Sequence, residues 1–561
     1  MLRRRHPTRF GDRGPLVVAV VAVTGLVGYP LVRLAQSAGG QAIVHAWHTP
    51  GLATVAWHTV ALAGVVTAVA VPMGAGLALL LAAPGLPLRR TLVAGVLLPL
   101  VTPQFVLGYS WGQAYGRAGF SDSVAGVHWS GLYGPAGVAT VLVVDATPIV
   151  YLLVAAGLAT RAQPDTERAA RMSGASAWTA LSTVTLPLLR PVLAAAGVIT
   201  FVGTLESFAV PQVLGTPAGF ATITTRIYAD VALGGDPATF DQALALSLGL
   251  VVLATVILLP ADVVLTPRLR SVRTPQSAAV RLMRHRGAGP WVAVAGVVGY
   301  LLFAVGLPSI ALLAAAVTPA IGVSPTPGNW TLANLRGLLT STTGTELAHS
   351  VELAAAAACI LTLLGTLVAM LGQRRSGRVL GAVATLTLVV PGSALAVAVL
   401  IAYGRYLAGT LTLILLAYLA KMWALALRPI SGALDRLPDA ERQAARASGA
   451  GPPTAVRTVV LPALAPALAG GWLLVFVTAL HEVTMSSLLY STGSQTLAVA
   501  VLNSEGLGDI GPTAALALLL TLLVVVAAGA AWGLFRLATT ASSRRTGAAV
   551  PEPLLEVAGA R

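Results

Sequence analysis

The residues most able to do chemistry in this 561-residue chain are few, and they stand in unusual places. Asp145, Glu206, Lys421, His481 and Glu482 each interrupt a long apolar stretch. An ionisable group at the centre of a bilayer costs on the order of 3 kcal/mol on insertion scales, so each requires a partner or a task. Acids, a histidine and a lysine so placed are the material of ion pathways and of pairs between helices. Other chemistry lacks its residues. No His-Glu-x-x-His metal motif and no cysteine ligand cluster occurs. The single cysteine, Cys359, excludes an intrachain disulfide and is expected to serve as a small core residue. A phosphate-binding loop needs Gly-x-x-x-x-Gly-Lys-Ser/Thr, and the only lysine, Lys421, stands between Ala420 and Met422. Any ATP-driven process in which the chain takes part must draw on another protein.

A second pattern is internal. Residues 169–191, which begin Ala169-Ala170-Arg171-Met172-Ser173-Gly174-Ala175, recur 275 positions later as residues 444–466, beginning Ala444-Ala445-Arg446-Ala447-Ser448-Gly449-Ala450. Fourteen of the 23 aligned positions are identical without a gap, including Leu186-Pro187 and Leu461-Pro462. Alanine-rich composition does not align Gly, Thr, Leu-Pro and Pro together, so this is a tandem duplication. Pro164-Asp165 and Pro438-Asp439 supply helix-start chemistry, with an acid near the positive end of the helix dipole. Each segment then predicts a short helix through Glu167 or Glu441, stopped at Gly174 or Gly449, before Leu-Pro ends the loop and opens the next apolar stretch. Small residues on an exposed helix make a shallow knob suited to a groove in a partner.

These residues resemble the permeases of ATP-binding-cassette importers, whose loop signature reads Glu-Ala-Ala, three residues, Gly, nine residues, an aliphatic residue, one more, then Leu-Pro. Both copies keep Ala-Ala (Ala169 and Ala170, Ala444 and Ala445), the glycine, the aliphatic residue (Val184, Val459) and Leu-Pro at that spacing. They depart at the first position, Arg168 in one and Gln443 in the other, with the acid displaced to Glu167 and Glu441. The resemblance implies a type I importer permease in which these loops form coupling helices docked on two ATP-binding-cassette ATPase subunits. An extracytoplasmic solute-binding protein would deliver the solute. ATP and magnesium would reside on the ATPases, with no cofactor or metal held by this chain. Two signatures in one chain resemble the fused ferric-iron permeases, with Pro391-Gly392 and the His481-Glu482 to Thr496-Leu497-Ala498 stretch as further likenesses. Thiamine and phosphonate permeases are relatives of that group. An ion-coupled secondary transporter is the rival, and it leaves the doubled loop unexplained.

The elements that must position these residues are apolar helices. The chain is 56% hydrophobic and only 10% charged, with mean hydropathy +0.83, where a soluble protein is about one quarter charged. Stretches long enough to cross a bilayer lie near 15–35, 57–83, 91–115, 135–160, 191–213 and 240–265, then 291–317, 348–372, 379–402, 408–428, 465–490 and 512–537. The fold expected is an all-α membrane protein of about twelve transmembrane helices in two tandem six-helix halves. The first repeat spans 15–266 with its coupling loop at 161–190. A linker at 267–290 leads to the second repeat at 291–538, with its loop at 429–464, and tails occupy 1–14 and 539–561. With both termini cytoplasmic, 30 of the 35 basic residues fall inside or at that edge, leaving Arg33, Arg117, Arg226, Arg336 and Arg405 outside. The net charge of +15 then reports the topology of a multi-pass bacterial inner-membrane protein in contact with lipid, not nucleic-acid binding. A cleaved signal at the N-terminus would leave five spans against six. Six spans per half relate the halves by an axis along the membrane normal.

The intramembrane charges admit two readings. They satisfy neighbouring helices near span ends, or Glu206 and Glu482, with His481 and Asp145, line a translocation path or gate for a cationic or metal-bearing solute. Lys421 is expected to snorkel toward the cytoplasmic edge. His58 and His349, at the starts of matching spans, read as packing, and Pro30, Pro72, Pro103, Pro148 and Pro260 as helix kinks.

Overall fold

The computed structural model describes residues 13–40, 51–83, 85–161, 164–270, 289–319, 323, 327–340, 342–372, 375–387, 389–437, 440, 443–444, 447–449 and 451–547. Among these the architecture is wholly helical. The first half contains α1 (Gly14–Ser37), α2 (Leu52–Leu81), α3 (Arg89–Leu100) and α4 (Gln104–Tyr115). It continues through α5 (Pro135–Arg161), the short α6 (Pro164–Met172), α7 (Ala177–Leu205), α8 (Ile223–Tyr228) and α9 (Pro237–Arg270). The second half repeats the plan with α10 (Gly289–Val317), α11 (Thr343–Leu371), α12 (Arg375–Leu386), α13 (Gly392–Leu407), α14 (Leu411–Lys421) and α15 (Trp423–Arg436). It closes with α16 (Val456–Leu480), α17 (Thr484–Leu489), α18 (Leu497–Gly506) and α19 (Ile510–Gly547).

Nine of the described helices are long and apolar enough to cross a membrane, and eleven if each bent pair makes one span. The departure from twelve uninterrupted spans has local causes. The third span breaks at Pro103, where Arg89–Leu100 and Gln104–Ala125 meet at a bend of 102°. The ninth divides at Pro391, with only the 16-residue α13 beyond it, and the tenth bends by 42° after Lys421. A proline removes a backbone donor and crowds the carbonyl four residues back, so the helix before it stops or kinks. Pro72 and Pro148 lie within continuous helices.

Proline also explains four π turns. Thr24–Gly28 precedes Tyr29-Pro30, Leu181–Thr185 precedes Leu186-Pro187, Leu302–Gly306 precedes Leu307-Pro308, and Val456–Val460 precedes Leu461-Pro462. The wider turn gives the pyrrolidine ring its room and keeps the helix continuous. The Leu-Pro pairs therefore do not end the repeated loops as expected from sequence. They lie inside α7 and α16, which begin well before residues 191 and 465 and stop at Leu205 and Leu480.

Two of these turns clasp the halves together. Tyr403 of α13 donates its hydroxyl to the Gly25 carbonyl at 2.6 Å, in the π turn of α1. Reciprocally, Trp111 and Tyr115 of α4 donate to the carbonyls of Ala304 at 3.1 Å and Phe303 at 2.6 Å, in the π turn of α10. The first helix of each half thus packs against the opposite half. Carbonyls loosened from the α-helical ladder need partners where water is scarce, and the aromatic donors meet that need.

Within each half three helices pack most closely: α2 with α5 and α7, and α11 with α15 and α16. Small residues allow this approach, as helix association in lipid favours. Gly365 and Gly471 both face the backbone of Ala426. Gly74 of α2 meets α5 so closely that an added Cβ would lie 2.6 Å from Val150 Cβ. Cys359 departs from its expected core position. It is exposed on α11, with the Trp472 indole donating to its sulfur at 3.2 Å. We expect Gly74→Val to separate α2 from α5 and lower the melting temperature in detergent by several degrees, measured by intrinsic fluorescence, while Gly76→Val, whose Cβ meets nothing, leaves it unchanged.

Candidate functional site

The repeated loop is one backbone device built twice. α6 ends at Gly174, whose φ of +89° is left-handed, and the N–H groups of Gly174 and Ala175 close back on the carbonyls of Arg171 (3.0 Å) and Ala170 (3.1 Å). This paired closure is the Schellman ending that glycine makes accessible. Ser173 donates its hydroxyl to Ala169 O at 2.9 Å. In the second copy Ser448 donates to Ala444 O at 3.0 Å and Gly449 has a φ of +80°. Thr183 bonds back to Thr179 O (2.6 Å) and Thr458 to Thr454 O (2.7 Å) across the two π turns. Each of these correspondences keeps the 275-residue offset.

Glu167, the displaced acid, is buried and paired with Arg171 at 3.2 Å, so it braces its own helix. Ala169 is exposed and Ala170 half-buried, while Leu186 and Pro187 are half-buried at the base of the loop and Leu461 and Pro462 are exposed. Glu441, Ala445 and the Pro438-Asp439 helix start lie outside the described residues. Two residues that the motif did not single out stand out on the first loop: Met172 is 87% exposed and Trp178 71%. Large apolar side chains so open to solvent mark a surface built to be covered. The second loop has Ala447 and Pro453 at these places.

The intramembrane charges fall into separate local networks. Glu206 caps the end of α7, where Lys421 Nζ reaches it at 2.6 Å and also donates to Val390 O at 2.7 Å. Lys421 therefore does not snorkel to an edge. It sits where α14 breaks, and Thr387 holds its freed carbonyl at 3.1 Å. The pair joins the two halves with 17% and 21% of the side chains exposed, a setting in which removing one partner costs about 3–5 kcal/mol. Glu482 instead accepts the N–H groups of Met485 (2.8 Å) and Ser486 (3.1 Å) at the start of α17, and Ser486 Oγ also bonds Tyr418 (2.7 Å). Asp145 accepts from Gln104 at 2.9 Å, and Gln104 receives the Ser207 hydroxyl at 3.3 Å. His481 occupies the Glu206 position of its half, at the end of α16, with Nδ1 buried and unpartnered among the described residues. Glu206 and Glu482 have different hydrogen-bond partners, and no group of three metal-binding side chains occurs among the described residues.

Two further patterns are structural. His58 and His349 meet the carbonyls of Ala221 (3.2 Å) and Gln495 (2.9 Å), and beside them Thr59 and Ser350 accept the N–H groups of Ile223 (2.9 Å) and Leu497 (2.8 Å). These matching bonds anchor α8 and α18 and use the histidines in packing. Gly108-Tyr109-Ser110-Trp111-Gly112 has the spacing of a nucleophile elbow, but it lies inside helix α4, with Ser110 buried and its hydroxyl donated to Leu107 O at 2.9 Å. An elbow needs a sharp strand-to-helix turn that exposes the serine.

The family described as binding-protein-dependent transport system inner membrane component matches residues 70–271 and 361–532, each segment enclosing one copy of the loop. The chain belongs to this family. Among members of known sequence it is similar to a probable ABC transporter permease of Sinorhizobium fredii, 28% identical over 388 residues covering 65% of this chain and 66% of that one. It is also similar to a ferric transport system permease of Actinobacillus pleuropneumoniae, 25% identical over 74% of this chain and 61% of the relative. A molybdenum transport system permease of Mycobacterium tuberculosis is 33% identical over 44% of this chain and 92% of its own length. The chain spans 66% and 61% of the lengths of these first two relatives. For this permease-family chain we expect Glu206→Gln and Lys421→Met each to lower the melting temperature, with the double variant less destabilised than the sum of the two. Strict additivity in that double-mutant cycle would show that the pair carries no coupling.

Proposed function

We propose that the chain is the fused permease subunit of an ATP-driven importer in a bacterial inner membrane, with both termini cytoplasmic. Two ATPase subunits dock on the loops at 161–190 and 429–464, and an extracytoplasmic binding protein delivers solute to the opposite end. The observation that carries this reading is the doubled loop, with its glycine ending and exposed knob repeated at constant offset. Met172 and Trp178 supply the first loop with apolar surface for a partner. The chain has no phosphate-binding motif, so hydrolysis falls to the partner, and this subunit performs transport without covalent chemistry.

Ferric iron is the solute we assign, on the strength of the fused plan and of relatives named as ferric permeases. Relatives named for molybdenum and for trehalose and maltose support a second reading, in which the same machine carries another small solute.

Gly174 and Gly449 give a direct test. Among the described residues nothing lies within 4 Å of a Cβ added at either, so a substitution there acts through backbone conformation and not through a clash. A non-glycine residue in the left-handed region costs about 1–2 kcal/mol, less for asparagine. In a purified complex with its ATPase, Gly174→Val with Gly449→Val should reduce partner-dependent ATP hydrolysis at least tenfold, and the corresponding asparagine variant should retain most of it. Transport that persists without any ATPase would refute the proposal.

A further inference from the structure

Resting on the importer reading, we infer that a cavity between the halves, at the end remote from the coupling loops, receives a hard, oxygen-seeking metal cation and turns oxyanions away. The cavity measures about 310 Å³ and is lined by Tyr109, Gln113 and Tyr133 of the first half and by Glu505, Asp509 and Thr513 of the second. Its position follows from the chain path. Tyr133 lies just before the start of α5, whose other end leads into the first coupling loop, and Asp509 just before the start of α19. Tyr109 donates to the Ile510 carbonyl at 3.0 Å, so α4 and α19 are bonded to each other along the cavity wall.

Glu505 is what gives this cavity a chemistry. Its carboxylate makes no hydrogen bond or ion pair among the described residues, and burial pushes its pKa up to about 7. The phenols of Tyr109 and Tyr133 lie near enough to feel its charge. The contrast is Asp230, on the segment after α8, which Arg226 neutralises at 2.9 Å. Among the described residues no lysine, arginine or histidine lines the cavity beside Glu505 and Asp509. Burial keeps Glu505 partly protonated near neutral pH, and an incoming cation that displaces the proton gives the desolvated carboxylate the counter-charge it lacks. Carboxylate, phenol, hydroxyl and amide oxygens, with neither thiolate nor imidazole, select hard cations. A molybdate-like anion would meet repulsion with no guanidinium to bind it. A neutral sugar would hydrogen-bond equally well to Glu505 or to a glutamine in its place.

Terbium(III) is a suitable probe, being a hard trivalent cation whose luminescence nearby tyrosines sensitise. Titrated alone into the purified full-length chain, it should give saturable sensitised emission. Glu505→Gln should weaken the affinity at least tenfold, and a neutral disaccharide should not displace the ion. Equal affinity in the wild type and Glu505→Gln, or displacement by the disaccharide, would overturn the assignment. Should Glu505→Gln fail to fold, as judged by its melting curve, Asp509→Asn at an exposed position makes the same comparison. Partner-dependent ATP hydrolysis, measured in parallel, separates the two ideas. Its absence with terbium binding intact defeats the importer reading, whereas its presence with binding unaffected by the substitutions defeats only the cation site.

Discussion

One ammonium group among apolar helices constrains much of this molecule. Lys421 must find counter-charge and acceptors inside the bundle, and it finds Glu206 on the other half and the Val390 carbonyl beside the proline that starts α13. Its contacts tie three breaks together: the end of α7 at Glu206, the interruption before Pro391, and the bend after Lys421. Each break frees backbone groups that a continuous helix would satisfy. Lys421 takes up the carbonyl at Val390, and Thr387 takes up the one at Lys421 itself. A polar contact between halves in lipid is directional and leaves few alternatives, unlike apolar packing, so it sets how the halves register.

Around that contact the halves are joined by exchange. Each contributes its first helix to the other, and each exchange is secured by aromatic donors reaching a π turn. The same turns admit the prolines two residues on, so one local distortion serves both the chain's geometry and the joint between halves. The breaks at Glu206 and His481 are followed by short helices anchored by matching histidine and hydroxyl contacts, which shows that the repeat extends well beyond the loop motif.

The sequence made the helical class, the duplication and the loop endings legible because these depend on near-neighbour chemistry. Hydropathy over about twenty residues marks a span, and a glycine four residues after Ala-Ala marks a left-handed stop. Partnerships were not legible. Glu206 and Lys421 are 215 residues apart, and composition alone favoured an edge position for the lysine. Spans reaching 213 and 490 are expected for a related reason: apolar residues continue past Leu205 and Leu480, but the chain there leaves the long helix and forms a short buried π turn at Pro211–Gly215 and the short buried helix α17. Hydropathy does not distinguish lipid from protein interior. Leu-Pro reads as a boundary because a proline usually is one, and only the π turn before it shows that the helix runs through. Glu505 carried a weak signal, as a lone acid on a short apolar helix, which acquires meaning only when the cavity against the first half is seen.

Duplication followed by fusion accounts for what stayed alike and what diverged. Gly174 and Gly449, the serines that close each loop, the threonines across the π turns and the Leu-Pro pairs recur because each favours the same local backbone path in both copies. Side chains that face outward or toward the opposite half are released from that constraint, since a fused chain gives each half its own surroundings. Met172 faces Ala447 across the alignment, Trp178 faces Pro453, and Glu206 faces His481. A pair of identical subunits would carry the Glu206 and Lys421 positions twice. Among the described residues one ion pair, Lys421 with Glu206, joins the halves, and its counterpart positions carry no matching pair, so this contact does not follow the twofold relation that the loops keep. Under the importer reading, force would then enter through two equivalent levers and act on an asymmetric interior, and a solute would meet different groups from the two halves along its way.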